Sequence, residues 1–170
     1  NESKKALSIL NIKQYKFSDR LCTQFDKFPI IDLVREIEYE INQFKPQIIF
    51  THCDNETNID HVYAHNATMI ACRPTEISQI ESIFSFETLC SGNYYHRQKF
   101  NPNFYSDITK SYSQKLKAMK CYKNEIRKYP HPRSIKGLEI NSRYRGMQSG
   151  LELAEAFRLE RAINTNKLFK

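Results

Sequence analysis

No apolar run in the 170-residue sequence approaches the roughly 20 residues that span a bilayer. Its start shows neither an initiator Met nor a signal-peptide pattern, so Asn1 reads as a cut end. No CxxC pair occurs. Cys22, Cys53, Cys72, Cys90 and Cys121 are odd in number and far apart, which argues against a disulfide framework and a Cys-based zinc finger. Ordinary thiols in a reducing cytoplasm are the expectation. GxGxxG and P-loop patterns are missing, so a dinucleotide or ATP cofactor has no motif. Ser91-Gly92 makes no GxSxG elbow. Without repeats, low-complexity segments or linkers, residues 1–170 read as one domain.

What is present points to a globular enzyme-sized unit. Hydrophobic residues make up 40% of the chain. The net charge is +7, from 26 Lys and Arg against 19 Asp and Glu. The basic residues are scattered, with modest rises at Lys110–Arg133 and near the C-terminus. Scatter argues against nucleic acid as a partner and is equally compatible with a phosphate-bearing small substrate.

The pattern alternates helix and strand. Residues 2–10 read as the last turns of a helix, and KQYKF (13–17) as a short strand. Pro29 opens an amphipathic helix whose stripe is Ile30, Leu33, Val34, Ile37, Ile41 and Phe44, with Pro46 at its exit. Gln47–Thr51 reads as a central strand, and residues 60–72 as a helix closed by Pro74. IESIFSFETL (80–89) and FYSDIT (104–109) read as strands. A helix with Tyr112, Leu116, Met119 and Ile126 on one stripe follows, and YPHPRS (129–134) breaks it. The last helix is expected from Ile135 past Phe157, with Gly146, Gly150 and Ala154 leaving a face open to close approach. This gives an α/β fold, a three-layer sandwich on a mostly parallel sheet.

Ligands of such sheets sit at the carboxyl ends of strands, where FTHCDNETNIDHVYAH (50–65) falls. His61 and His65 are spaced to share a helix face and a metal ion. That spacing alone is a weak signal, and the reading it competes with is that Asn58 or Asp60 caps the helix and the histidines are ordinary surface residues.

FTHCDNETNIDHVYAHNATMIACRP resembles a signature of the PIG-L/LmbE family, zinc-dependent de-N-acetylases of N-acetylated sugars and conjugates. IFSFETLCSG with FNPNFYSDIT, KAMKCYKNEIRKYPHPRS and NSRYRGMQSGLELAEAFRLERA resemble later stretches of that family in the same order. The likeness covers nearly the whole chain. The combination of NIDH, HPRS and RYRG…AEAF is its most specific part. The family's first motif, a His-Pro-Asp-Asp-Glu-like run with two metal ligands and the general base, is absent and is expected upstream of Asn1. The first strand of the Rossmann-like sheet is expected there too. Glu56-Thr57-Asn58 also stands where relatives often carry Asp-Leu-Asn.

The resemblance implies hydrolysis of an N-acetyl group from an amino sugar or glycoconjugate. Zinc would polarise the amide and acidify a water. His61 matches the third metal ligand. Asn58 stands where some relatives carry a catalytic His, so His131 or His52 is expected to steady the oxyanion. Asp60 is expected to orient a neighbour, and Asp19, Asn58, Arg133 and Arg145 to meet substrate. Arg133, Arg143 and Arg145 have Glu152 and Glu155 as alternative partners, and His65 is expected on the helix face. With one ligand in place, the chain by itself is expected to hold zinc weakly. A cytoplasmic enzyme is implied, with homo-oligomers known among relatives. The alternative is a binding or interaction domain that keeps the fold without the chemistry.

Overall fold

The computed structural model describes residues 1–74 and 80–163. Lys167 and Lys170, part of the C-terminal rise in positive charge, lie outside the described residues. The elements are α1 (Glu2–Ile9), α2 (Ile30–Phe44), β1 (Ile48–His52), α3 (Ile59–Ala71), β2 (Ser82–Phe86), β3 (Phe104–Asp107), α4 (Tyr112–Met119), α5 (Ile135–Ser149) and β4 (Ala154–Ala162). The chain divides into two compact units, residues 1–19 with 105–156, and residues 20–104 with 157–170.

In the second unit, α2 starts after Pro29 and ends at Lys45, which turns left-handed (φ 50°) just before Pro46. Proline's fixed φ suits a helix start and blocks continuation past a helix end. Val34 is the fully buried residue of the stripe, while Phe44 stays exposed. The helix packs on α3, and Ile41 reaches a core of Cys72, Ile80 and Ile83 with Ile49 and Met69. Because side chains alternate along a strand, Ile49 and Ile83 face that core. Phe50 and Phe84 take the other face, stacked 5.3 Å apart.

The strand order is β1-β2-β4-β3. β1 and β2 run parallel, His52 opposite Phe86, but β4 runs antiparallel to β2. The expectation of a mostly parallel sheet is therefore not met among the described strands. Parallel neighbours need a crossover, and β1–α3–β2 is the one that joins this pair.

In the first unit, α1 packs on α4, and Gln114 Nε2 donates to the Ile9 carbonyl at 2.7 Å. Residues 13–17 are not a strand, and α4 stops at Met119, before Ile126. The last helix also ends earlier than its composition suggests. Gly150 adopts φ 72°, Leu151 N–H donates back to the Gly146 carbonyl at 2.9 Å, and residues 154–162 become β4. Glycine takes that left-handed cap without steric cost. Gly146 serves the same turn, since a Cβ there would meet the Leu151 carbonyl oxygen at 2.5 Å. Gly146→Ala is therefore expected to destabilise by roughly 1–3 kcal/mol despite alanine's better helix propensity. A thermal midpoint at or above the parent's would remove this role.

Candidate metal centre

The last residue of β1 and the first turn of α3 bring His52 and His61 together. Their rings stack with centroids 3.9 Å apart and planes 11° from parallel. Asn58 sets the helix start, its Oδ1 accepting the Asp60 N–H at 3.0 Å. That bond fixes which end of the amide is nitrogen, so Asn58 Nδ2 donates to His61 Nε2 at 3.2 Å. His61 consequently carries its proton on Nδ1, which donates to Glu56 Oε2 at 3.1 Å.

Glu56 comes from the loop between β1 and α3, folded back under the histidines. Its side chain is 1% exposed and that of His61 20%. Burial pushes the Glu56 carboxyl up. The bond to His61, with the Ser91 and Thr88 hydroxyls nearby, outweighs burial and leaves its pKa below the ordinary carboxylate value. Yet Glu56 Oε1 and Ser91 Oγ have no hydrogen-bond partner. The Ser91 hydroxyl, whose hydrogen turns freely, is the neighbour that can serve that oxygen. One donor atom from each of His52, Glu56 and His61 lies within 4.8 Å of the others. Two imidazoles and a carboxylate are a donor set that zinc accepts.

His52 is kept neutral by its surroundings. Burial, then the adjacent His61, push its pKa from 6.5 to about 4, with Glu56 opposing. An unfolded chain takes up that proton near pH 6.5 and the folded chain only near 4. Stability is therefore lost as pH falls through this window. The lowered Glu56 and Asp54 carboxyls act in the same direction, losing their contributions as pH falls through their folded pKa values. The urea midpoint of the metal-free chain is expected to drop between pH 7 and 5, with a shallower drop in His52→Gln. Equal midpoints at the two pH values would mean that His52 does not resist protonation.

The surrounding residues hold this arrangement. His65 is buried, and its Nδ1–H donates to the His52 carbonyl at 2.9 Å, tying α3 to the strand end. Asp60 accepts backbone N–H groups from Thr23 and from Phe25, the latter at 3.0 Å, and so pins residues 23–25 to the first turn of α3. Arg158 on β4 holds the loop through Asp54 Oδ1 at 2.6 Å and Asn55 Oδ1 at 2.8 Å.

Of the residues singled out in sequence, His52, Asn58, Asp60 and His61 thus gather here. Glu56 joins them without having stood out, because only the folded-back loop brings it beneath the rings. Asp19, His131, Arg133 and Arg145 belong to the first unit. There His131 Nδ1 accepts the Arg133 N–H at 3.1 Å, and the Arg133 guanidinium pairs with Glu125. Arg145 is buried and bonds Gln148 Oε1 at 2.8 Å. Arg143 pairs with Glu139, and Glu155 with Lys115, rather than with each other.

No family model matches the chain, and no curated protein matches it in sequence. Solved structures do match its fold. The conserved protein TT1542 from Thermus thermophilus is 17% identical with a TM-score of 0.71, over 96% of this chain and 73% of that one. The N,N'-diacetylchitobiose deacetylase from Pyrococcus horikoshii, complexed with its inhibitor MPG, is 16% identical with a TM-score of 0.72. That match covers 93% of this chain but 61% of the deacetylase. The zinc-inhibited form of teicoplanin deacetylase Orf2 is 14% identical with a TM-score of 0.67, over 93% of this chain and 71% of that one. The chain therefore has the mixed α/β fold of these structures.

Proposed function

We propose that the protein is a metal-dependent N-deacetylase acting on an N-acetylated amino sugar or sugar conjugate, with zinc as its cation. The observation that carries this reading is the grouping of His52, Glu56 and His61 donor atoms within 4.8 Å of one another at the carboxyl end of β1. The likeness in fold to a chitobiose deacetylase and a teicoplanin deacetylase supports the choice of substrate class. His61 is the residue expected to hold the ion. A zinc ion supplies Lewis acidity toward an amide carbonyl and toward water.

The chain's own residues do the rest. Glu56 and Asn58 fix the tautomer and plane of the His61 ring. Neutral His52 offers a second nitrogen or a proton acceptor. Asp60 keeps the helix start in place. His131 is assigned the stabilisation of the oxyanion, and Asp19, Asn58, Arg133 and Arg145 contacts with substrate. For Arg133 and Arg145 that role competes with their bonds to Glu125 and Gln148.

The test is release of acetate and free amine from N-acetylglucosamine, diacetylchitobiose and lipid- or nucleotide-linked N-acetyl sugars, with and without added zinc. Turnover of any of these that is removed by a chelator and restored by zinc supports the reading. Absence of turnover on all of them in zinc-loaded, folded protein sinks it. A His131→Ala chain with unchanged kcat would withdraw the role given to His131.

A further inference from the structure

We infer that the first unit carries a basic surface that docks on an anionic membrane, with phospholipid headgroups supplying the negative charge. In sequence the Lys and Arg are scattered, but the fold divides them unevenly. Residues 1–19 and 105–156 hold 15 Lys and Arg against 7 Asp and Glu, whereas the rest of the chain holds 11 against 12. The whole positive excess therefore belongs to one unit, an asymmetry that points to a polyanionic surface as partner.

Within that unit the charge gathers at one end. Between Lys110 and Lys136 there are nine Lys and Arg and one acidic residue, Glu125. Glu125 pairs with Arg133, and Lys115 with Glu155. Lys117, Lys120, Lys123, Arg127, Lys128 and Lys136 are exposed, and none forms an ion pair among the described residues. Backbone bonds hold this segment together. Past α4 the chain continues in tight turns, Cys121 N–H donating to the Ala118 carbonyl at 3.1 Å and Ile126 N–H to that of Tyr122 at 3.3 Å. Arg127 N–H closes the next loop on the Arg133 carbonyl at 3.3 Å, and that loop leads directly into α5 and Lys136. The start of α1 lies at the same end, since Glu2 Oε1 accepts the Lys123 N–H at 3.2 Å, and it adds the exposed Lys4 and Lys5.

The dipole of α4 accounts for Lys117 and Lys120 at its C-terminal end, but it does not reach Lys123, Arg127 and Lys128. Unpaired like charges repel one another, and an anionic partner offsets that cost. All but one of these exposed cations are lysine. A lysine is a hydrated point charge on a flexible stem and suits a diffuse field of headgroups. Bases and phosphopeptides are read instead by the guanidinium fork. Tyr129 is 55% exposed among these lysines, with Lys136 Nζ 4.6 Å from its ring centre. An aromatic ring with a polar tip beside lysine suits a membrane interface. None of these residues has a role in the proposed reaction, so the surface stands or falls separately from it.

The experiment is sedimentation of residues 1–170 with vesicles of phosphatidylcholine, alone or with about a third phosphatidylserine. Binding is expected to the anionic vesicles only, and it should weaken steeply as sodium chloride rises from about 0.05 to about 0.5 M. Lys120→Gln, Lys123→Gln and Lys128→Gln together should lower the partition coefficient on the order of a hundredfold. Three neutralisations in the second unit, Lys27→Gln, Arg35→Gln and Lys45→Gln, should lower it by no more than about threefold. All six positions are exposed, and circular dichroism checks folding; the salt series on the unsubstituted chain holds even if a variant fails to fold. No binding to anionic vesicles at low salt, equal binding to neutral vesicles, or equal losses in the two triple variants would each overturn the proposal. So would tighter binding to a DNA or RNA duplex than to the vesicles at the same salt, which would make nucleic acid the partner.

Discussion

For the proposed reaction, replacement of His61 by glutamine is expected to lower turnover of an N-acetylated amino sugar by about a thousandfold or more, since a ligand loss would remove a metal's contribution of several kcal/mol. Glutamine is the informative choice. Its amide N–H can still serve Glu56 Oε2, which otherwise loses the His61 donor while 1% exposed. His61→Ala leaves that carboxylate unpaired and mixes a folding defect of ~1–3 kcal/mol into the result. The loss should appear in kcat, with KM moving little, because His61 is proposed to serve the reacting bond rather than the sugar. A His61→Gln chain retaining a tenth of parent turnover would assign the chemistry to other residues.

The second large effect concerns a residue that touches no donor atom. Arg158 binds Asp54, Asn55 and Glu160, and Glu160 also accepts from the fully buried Ser85 hydroxyl at 2.6 Å. Burial opposes the Arg158 charge, but Glu160 and Asp54 outweigh it and raise its pKa. Arg158→Met leaves a side chain of similar length and strands the Glu160 carboxylate, itself 14% exposed. Breaking one side of such a network costs on the order of 3 kcal/mol, roughly 10 °C in midpoint for a chain of this size. The loop carrying Glu56 also loses its anchor in Asp54 and Asn55. Lysine is not expected to rescue, because a point charge cannot serve three oxygens in the guanidinium's plane. A midpoint within about 2 °C of the parent would show that the network is dispensable.

The elements that build the centre are legible in the sequence because local signals agree there. The stripe of α2 lies between two prolines, β1 is a short apolar run, and Asn58 precedes a helix as a cap should. AEAFRLERA reads as helix because Ala, Glu, Arg and Leu are good helix formers. Its burial nevertheless alternates at Ala154 and Ala156, and Gly150 is the stop signal that separates it from α5. Strand direction escapes detection, since nothing in a strand's sequence states which neighbour it will join. Glu56 escapes for another reason. Four residues from His52 and five from His61, it has no helical or strand register that would align it with either; only the fold of the loop does.

That loop has a consequence for inheritance. Both histidines, the carboxylate, the cap and the tie from His65 all fall between residues 52 and 65. Deleting a single codon between Cys53 and Thr57 would shift Glu56 relative to His61 and spoil the whole set at once. The core of Cys72, Ile80 and Ile83 would be untouched. A lineage could thus shed this centre in one mutational event and keep a folded protein, whereas rebuilding it after drift would require several substitutions together.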